Sequence, residues 1–201
     1  MFKEDFYKER RVSSGFGEDR GRYKHSGIDY PGTKKEDIFN QINGKVFKIL
    51  HEKDYFGTQC IVYSNPKFAG GVNDKLYHSY CHLYKVSVKE DQFVEAGSIL
   101  GKMGNSGGSY TSFDKKGKYT AICRKVTKEE QEDKNCNFGV HLHLWFYQDC
   151  KPGKTTPLFN KLKGLNIISK QSLGDTHFYQ WSKLIIAPRV IYKYFKILNE
   201  S

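Results

Sequence analysis

The sequence predicts a mainly β fold, and three observations carry that prediction. Short runs rich in β-branched and aromatic residues are separated by Gly, Asn, Asp or Pro. The stretch "QFVEAGSILGKMGNSGGS" is broken by Gly97, Gly101, Gly104, Gly107 and Gly108, a density that suits tight turns and close backbone approach rather than a helix. Residues 139–147, "GVHLHLWFY", alternate at strand period: Val140, Leu142, Leu144 and Phe146 face one way, His141, His143, Trp145 and Tyr147 the other.

Taken in order, "GKVFKIL" (44–50), "QCIVYS" (59–64) and "KLYHSYCHLYKV" (75–86) read as strands. In the last of these His78 and His82 are four apart, so at strand period they share a face with Tyr80, and either could reach a cleft. Residues 109–138 are polar and mixed in charge and read as an insertion loop, within which "KVTKEEQEDK" (125–134) suits a short exposed helix. Beyond "KPGKTTP" (151–157), the ending "WSKLIIAPRVIYKYFKIL" suits a last strand, an amphipathic helix or a docking segment; Pro188 argues against one continuous helix. The expected organisation is one main domain over 1–160 and a basic C-terminal extension over 161–201, docked or packed as a satellite.

The chain has 201 residues, long enough for one well-buried domain, with 38% hydrophobic and 15% aromatic content. Thirty-three Lys and Arg against 22 Asp and Glu leave a net charge of +11. Residues 151–201 hold nine of the basic residues against Asp175 and Glu200, so the positive field is concentrated there. Such a field calls for an anionic partner. Nucleic acid is not expected, because the tail has no interleaved aromatic RNA-binding pattern, zinc finger or helix-turn-helix signature. The N-terminus "MFKEDFYKERRVSSGFG" has no apolar core of a secretory signal, and no apolar run reaches spanning length, so neither an export signal nor a transmembrane anchor is expected in this chain. Five cysteines, at 60, 81, 123, 136 and 150, show no C-x-x-C spacing, which argues against a cysteine-based zinc site. Cys123 and Cys136 bracket a polar segment, either as a loop-closing bridge or as free thiols.

The candidate chemistry lies in the histidines. "HSGID" sets His25 and Asp29 at H-x-x-x-D on a segment that Gly27, Ile28 and the following Tyr-Pro-Gly make a bent strand or loop. An imidazole and a carboxylate suit zinc; one more imidazole completes three protein ligands with a fourth position open, the pattern of a catalytic site. His141 or His143 can be that third ligand, and the other then stands beside the metal as base or acid.

Four motifs in order, "HSGID" (25–29), "YCHL" (80–83), "VEAGSILGKMGNSG" (94–107) and "HLH" (141–143), with a "SGFG" turn shortly before the first, resemble the lysostaphin-like (LytM-type) zinc metalloendopeptidases of bacterial cell walls. The resemblance runs over residues 11–147. It implies a twisted antiparallel β-sheet with a loop-walled groove over a Zn2+ site held by His25, Asp29 and His143. It implies His141 and His82 as the catalytic pair that does not bind the metal, with His78 peripheral. It implies a peptidoglycan peptide as substrate, a stem peptide or a cross-bridge, and action at the bacterial wall. The basic C-terminal region then suits anionic wall polymers, and a wall-degrading chain without an export signal suits a phage-encoded lytic protein or a fragment of an exported one. The alternative on the same fold is an inactive scaffold that regulates wall hydrolysis. About thirty residues separate the glycine-rich run from H-x-H, where the family has few, a departure that bears on the groove wall and with it the substrate preference.

Overall fold

Nine residues of strand, β11 (His141–Asp149), run through the middle of the main sheet and organise it. The computed structural model describes residues 7, 9–20, 23–51, 55–64, 75–107, 110–113, 119–122, 126–133, 135–136, 138–149, 154, 156–168, 177–180 and 183–200. One edge of β11 pairs antiparallel with β5 (Leu76–Cys81). The other edge is shared end to end: β1 (Ile28–Pro31) pairs with residues 141–144, and β13 (Lys183–Ile186) with residues 146–149. Beyond β5 the sheet continues through β4 (Gln59–Ser64) and β3 (Gly44–Leu50) to the short β7 (Phe93–Val94); beyond β13 it ends on β12 (His177–Gln180). A smaller sheet orders β2 (Asp37–Phe39), β8 (Ile99–Met103) and β6 (Leu83–Val86). Every pairing is antiparallel.

The alternation in β11 does what the sequence implies. Val140, Leu142, Leu144 and Phe146 enter the main core with Tyr30, Val62, Leu76 and Tyr80. Trp145 and Tyr147 join a smaller cluster on the opposite face with Ile61, Tyr77, Cys81 and Ile185. His141 and His143 lie on that second face, ahead of Trp145.

The C-terminal region is built into the main core. α2 (Pro157–Gly164) starts on Thr156, whose hydroxyl accepts from the Phe159 amide at 3.1 Å, with Pro157 in the first turn. It buries Leu158 and Leu162, one turn apart. After β13, Pro188 opens α3 (Pro188–Glu200), where a missing N–H goes unnoticed. Val190, Ile191, Tyr194 and Phe195 of α3 are buried against the same core as β11. Pro188 thus separates a strand from a helix, so two of the three forms open to this segment occur in succession.

The segment read as an insertion loop holds more order than a loop. β9 (Tyr110–Phe113) and β10 (Tyr119–Ile122) form an antiparallel hairpin. The expected exposed helix is α1 (Lys128–Glu132), closed by a capping box between Thr127 and Glu130. Lys34, 8% exposed, donates from Nζ to the carbonyls of Glu130 (2.6 Å) and Asp133 (2.8 Å). It thereby supplies the cation that the C-terminal end of α1 lacks and ties the insertion to the turn after β1. Cys60, Cys81 and Cys136 carry free thiols; Cys123 and Cys150 lie outside the described residues, and with Cys123 the question of a bridge to Cys136. No helix among the described residues is long and apolar enough to cross a membrane.

Removing residues 183–200 uncovers the core face that α3 closes and unpairs half of one edge of β11. The truncated chain is expected to lose its cooperative thermal transition in circular dichroism.

Candidate metal centre

Asp29 and His143 are direct cross-strand partners in the β1–β11 ladder, which sets their side chains side by side on one face. Asp29 Oδ1 lies 2.8 Å from His143 Nδ1. His25 reaches the same point from the loop before β1, its Nε2 lying 3.1 Å from Asp29 Oδ1 and 3.0 Å from His143 Nδ1. Gly27 permits this approach, since a Cβ there would overlap the Leu144 carbonyl. All three residues are buried, at 3%, 7% and 3% exposure for His25, Asp29 and His143.

The outward-facing nitrogen of each imidazole has a partner of its own. His25 Nδ1 lies 2.7 Å from the Gly15 carbonyl, which can only accept, so His25 carries its proton on Nδ1 and turns the Nε2 lone pair inward. His143 Nε2 lies 3.3 Å from the Ser26 hydroxyl, which leaves Nδ1 facing inward. Two imidazole nitrogens and a carboxylate oxygen thus converge on one point. Ligands about 2.0–2.2 Å from a tetrahedral ion stand about 3.3–3.6 Å apart. The observed edges are a few tenths of an ångström inside that, and the outer hydrogen bonds are of the kind that orient metal-ligating histidines. His25, Asp29 and His143 can therefore hold a divalent cation, and they form the one such group among the described residues.

Two more histidines stand beside this group. His141 Nδ1 donates to the Gly139 carbonyl at 2.8 Å, and His82 Nδ1 to the Ser106 carbonyl at 2.8 Å, so the Nε2 atom of each is the free one. The two rings are 4.4 Å apart, and the His82 ring is 6.1 Å from that of His143. His141 Nε2 is 3.9 Å from Asp29 Oδ1.

His82 corrects the expectation that it shares a face with His78 and Tyr80. Its φ is +60°, a left-handed conformation between β5 and β6, and its amide bonds to the Phe56 carbonyl at 2.9 Å. That one residue shifts the alternation: Leu83 enters the main core, where His82 was due, and His82 turns to the face of His141 and His143. The Ser106 carbonyl reaches His82 because Gly57 and Gly107, both at positive φ, pack backbone to backbone; a Cβ on either would collide with the other loop.

His78 stays on the core face. It is fully buried, with Nε2 3.2 Å from the Ser64 hydroxyl, Nδ1 3.0 Å from the Tyr80 hydroxyl, and its ring stacked on Phe146. Away from the metal-binding cluster it is peripheral; to the fold it is central. Burial pushes its imidazole down to about 3.

Electrostatics at the centre follow from burial first. Burial pushes His143 down to about 4 against the pull of Asp29, and holds His82 well below the ordinary histidine range, with His141 and His143 adding to the effect. At Asp29 burial works the other way, raising the carboxyl. The close approach of His141, His25 and His143 outweighs it and holds Asp29 well below the usual carboxylate range.

The description "Peptidase family M23" fits the chain over residues 23–121, where its family model matches. Over that stretch the chain resembles peptidase family M23. The M23 match includes His25, Asp29, His82 and the glycine-rich run and ends before β11; the β1–β11 register brings His141 and His143 to it. That match implies a metalloendopeptidase. Comparison with curated proteins gives no match. Among solved structures the chain is similar to the catalytic domain of a mutant of the prophage-encoded M23 protein EnpA from Enterococcus faecalis. That pair shares 20% identity over 78% of this chain and 95% of that one, at a TM-score of 0.47. It is also similar to the catalytic domain of the antimicrobial peptidase lysostaphin from Staphylococcus simulans, with 18% identity over 79% and 92% of the two chains and a TM-score of 0.49.

Ser14, Gly15, Arg20, Ser26 and Ser106 hold the site from outside and were not singled out from the sequence. Ser14 and Gly15 lie in the "SGFG" turn, Ser26 in "HSGID" and Ser106 in the glycine-rich run, so each of these had a signal in a quoted motif; Arg20 reaches Asp29 through folding alone.

The buried neutral state of His78 carries a pH signature. The unfolded chain takes up a proton near pH 6.5 and the folded chain only near 3, so the unfolded state holds the extra proton between these values. Stability contributed by His78 is full above pH 6.5 and declines below it by about 1.4 kcal/mol per pH unit. Urea denaturation from pH 7 to 4 is expected to show a shallower acid loss in His78→Gln than in the unmodified protein.

Proposed function

We propose that this chain is a zinc-dependent endopeptidase that hydrolyses peptide bonds in bacterial peptidoglycan, in a stem peptide or a cross-bridge, as a phage-encoded or secreted lytic enzyme. The observation that carries the reading is the convergence of His25 Nε2, Asp29 Oδ1 and His143 Nδ1, each imidazole with its other nitrogen already engaged, beside two histidines with free Nε2 atoms. Two nitrogens and one carboxylate oxygen with a position left open are the donor set of catalytic zinc. Zinc held there supplies Lewis acidity, polarising a carbonyl and bringing the pKa of water toward ~7.

The chain's own groups divide the remaining work. His141, adjacent to the triad and with its Nδ1 proton anchored on Gly139, presents Nε2 to take the proton from the attacking water. His82, with Nδ1 anchored on Ser106, is neutral at rest and donates from Nε2 only once protonated, to the oxyanion or the leaving amine. Both rings are fixed by backbone carbonyls, so neither has to be ordered when substrate arrives. The peptidoglycan assignment is supported by the order of the four motifs and by the match to the M23 family model. The exposed face of α3 sets Arg189, Lys193 and Lys196 about one turn apart, which suits attraction to anionic wall polymers.

The protein as purified is expected to hold about one zinc per chain by elemental analysis, with wall hydrolysis abolished by a strong chelator and restored by zinc. Asp29→Ala and His143→Ala are expected to lose the metal. Active protein without stoichiometric metal would contradict the proposal.

His82→Ala and His141→Ala are expected to keep the zinc and lose activity on the order of 10²-fold or more. Digests of purified peptidoglycan, with new amino and carboxyl termini identified by mass spectrometry, measure this and name the bond. A zinc-loaded protein with no new termini would mark the inactive scaffold instead.

A further inference from the structure

Asp29 has two carboxylate oxygens, and the structure gives them different partners. Oδ1 belongs to the converging donors described above. Oδ2 lies 3.3 Å from Nη2 of Arg20, and the same Nη2 donates to the Ser14 hydroxyl at 2.7 Å. The Ser14 hydroxyl in turn donates to Glu18 and lies 3.1 Å from His25 Nδ1. The Arg20 side chain is only 12% exposed, so this contact is shielded from solvent. The backbone is fixed at both ends: the Arg20 amide bonds to the Tyr23 carbonyl at 3.0 Å, the His25 amide to the Glu18 carbonyl at 2.9 Å, and Ser14 bridges to Asp29 across the ladder. One guanidinium therefore touches the shells of two members of the triad.

We propose that Arg20 is a positioning residue that keeps Asp29 a one-oxygen donor, holding Oδ2 away from the metal so that a coordination position stays open for water and substrate. This rests on the metal reading of the triad. A carboxylate can bind a cation through one oxygen or both. In a buried site with a carboxylate already facing the ion, a partner for the second oxygen decides between the modes. Arg20 is suited to it, because its Nη2 has two hydrogens and reaches Ser14 and Asp29 together, and its permanent charge favours the ionised carboxylate.

The consequence has an unusual sign. Loss of an ordinary support for a ligand weakens metal binding. Loss of Arg20 removes a positive charge near the cation and frees a second oxygen to bind it, and both changes tighten the metal while closing the open position.

The test uses the full chain, loaded with Co2+ for spectroscopy and Zn2+ for affinity and turnover. Arg20→Met is expected to bind Zn2+ at least as tightly as the unmodified protein in chelator competition. Its Co2+ visible bands should lose intensity, as higher coordination number dictates. Peptidoglycan cleavage should fall by about 10²-fold in kcat, the scale of a displaced reacting group. Arg20→Lys keeps a donor for Oδ2 and is expected to retain the original Co2+ spectrum and much of the activity. Arg20→Leu serves if Arg20→Met does not fold. Unchanged Co2+ bands in Arg20→Met, or weaker Zn2+ binding with unchanged coordination, would overturn the inference and leave the metal reading standing. Failure of the unmodified protein to bind Zn2+ or Co2+ would instead remove the metal reading and this inference with it.

Discussion

The register between β1 and β11 is the constraint on which the site depends. Antiparallel pairing places Asp29 opposite His143, and the same register sends Tyr30 and Leu142 into the main core. A slip of one residue would bury the carboxylate among apolar side chains and turn the core residues outward. Burial of Tyr30, Leu142, Leu144 and Phe146, each at 3% exposure or less, is what forbids the slip. The hydrophobic core and the chemistry therefore share one strand, and the energy that stabilises one face positions the other.

That strand can serve two partners on one edge because it is long. β1 occupies its first half and β13 its second, so the region that carries the site is locked by the C-terminal region that does not. α3 closes the core beneath. A basic extension that looks separable in composition is, in packing, part of what holds β11 straight. Its charge sits on the outward face of a helix whose inward face is apolar, so a charged surface and structural support coexist in one element.

Both histidines outside the triad are held by carbonyls from turns, and those turns exist because of glycine. Gly57 against Gly107 brings Ser106 to His82, and Gly139, at positive φ, offers its own carbonyl to His141. The dense glycine in the sequence is thus a matter of backbone approach, and its effect on the site is to fix which nitrogen of each ring is free. Arg20 and Ser14 do the corresponding work for Asp29 and His25 with side chains.

Much was legible in the sequence. The alternation of 139–147 assigned each face of β11, the turn residues bounded β3 and β4 at the residues where they begin and end, and the order of motifs pointed to the five residues that come together. These are local signals, set by side-chain periodicity and backbone preference within a few residues. The tertiary structure alone decided the rest. Strand parity put His82 beside His78 on one face, and only the left-handed turn at His82, held by Phe56 across a neighbouring loop, separates them. The residue pattern left His141 and His143 both open beside Asp29; the motif resemblance named His143, and the cross-strand register supplies the physical reason, while the role of Arg20 came from a turn that returns it to Asp29. Each of these depends on contacts between segments distant in the chain or folded back by other segments, and no local pattern of residues encodes which partner such a contact will find.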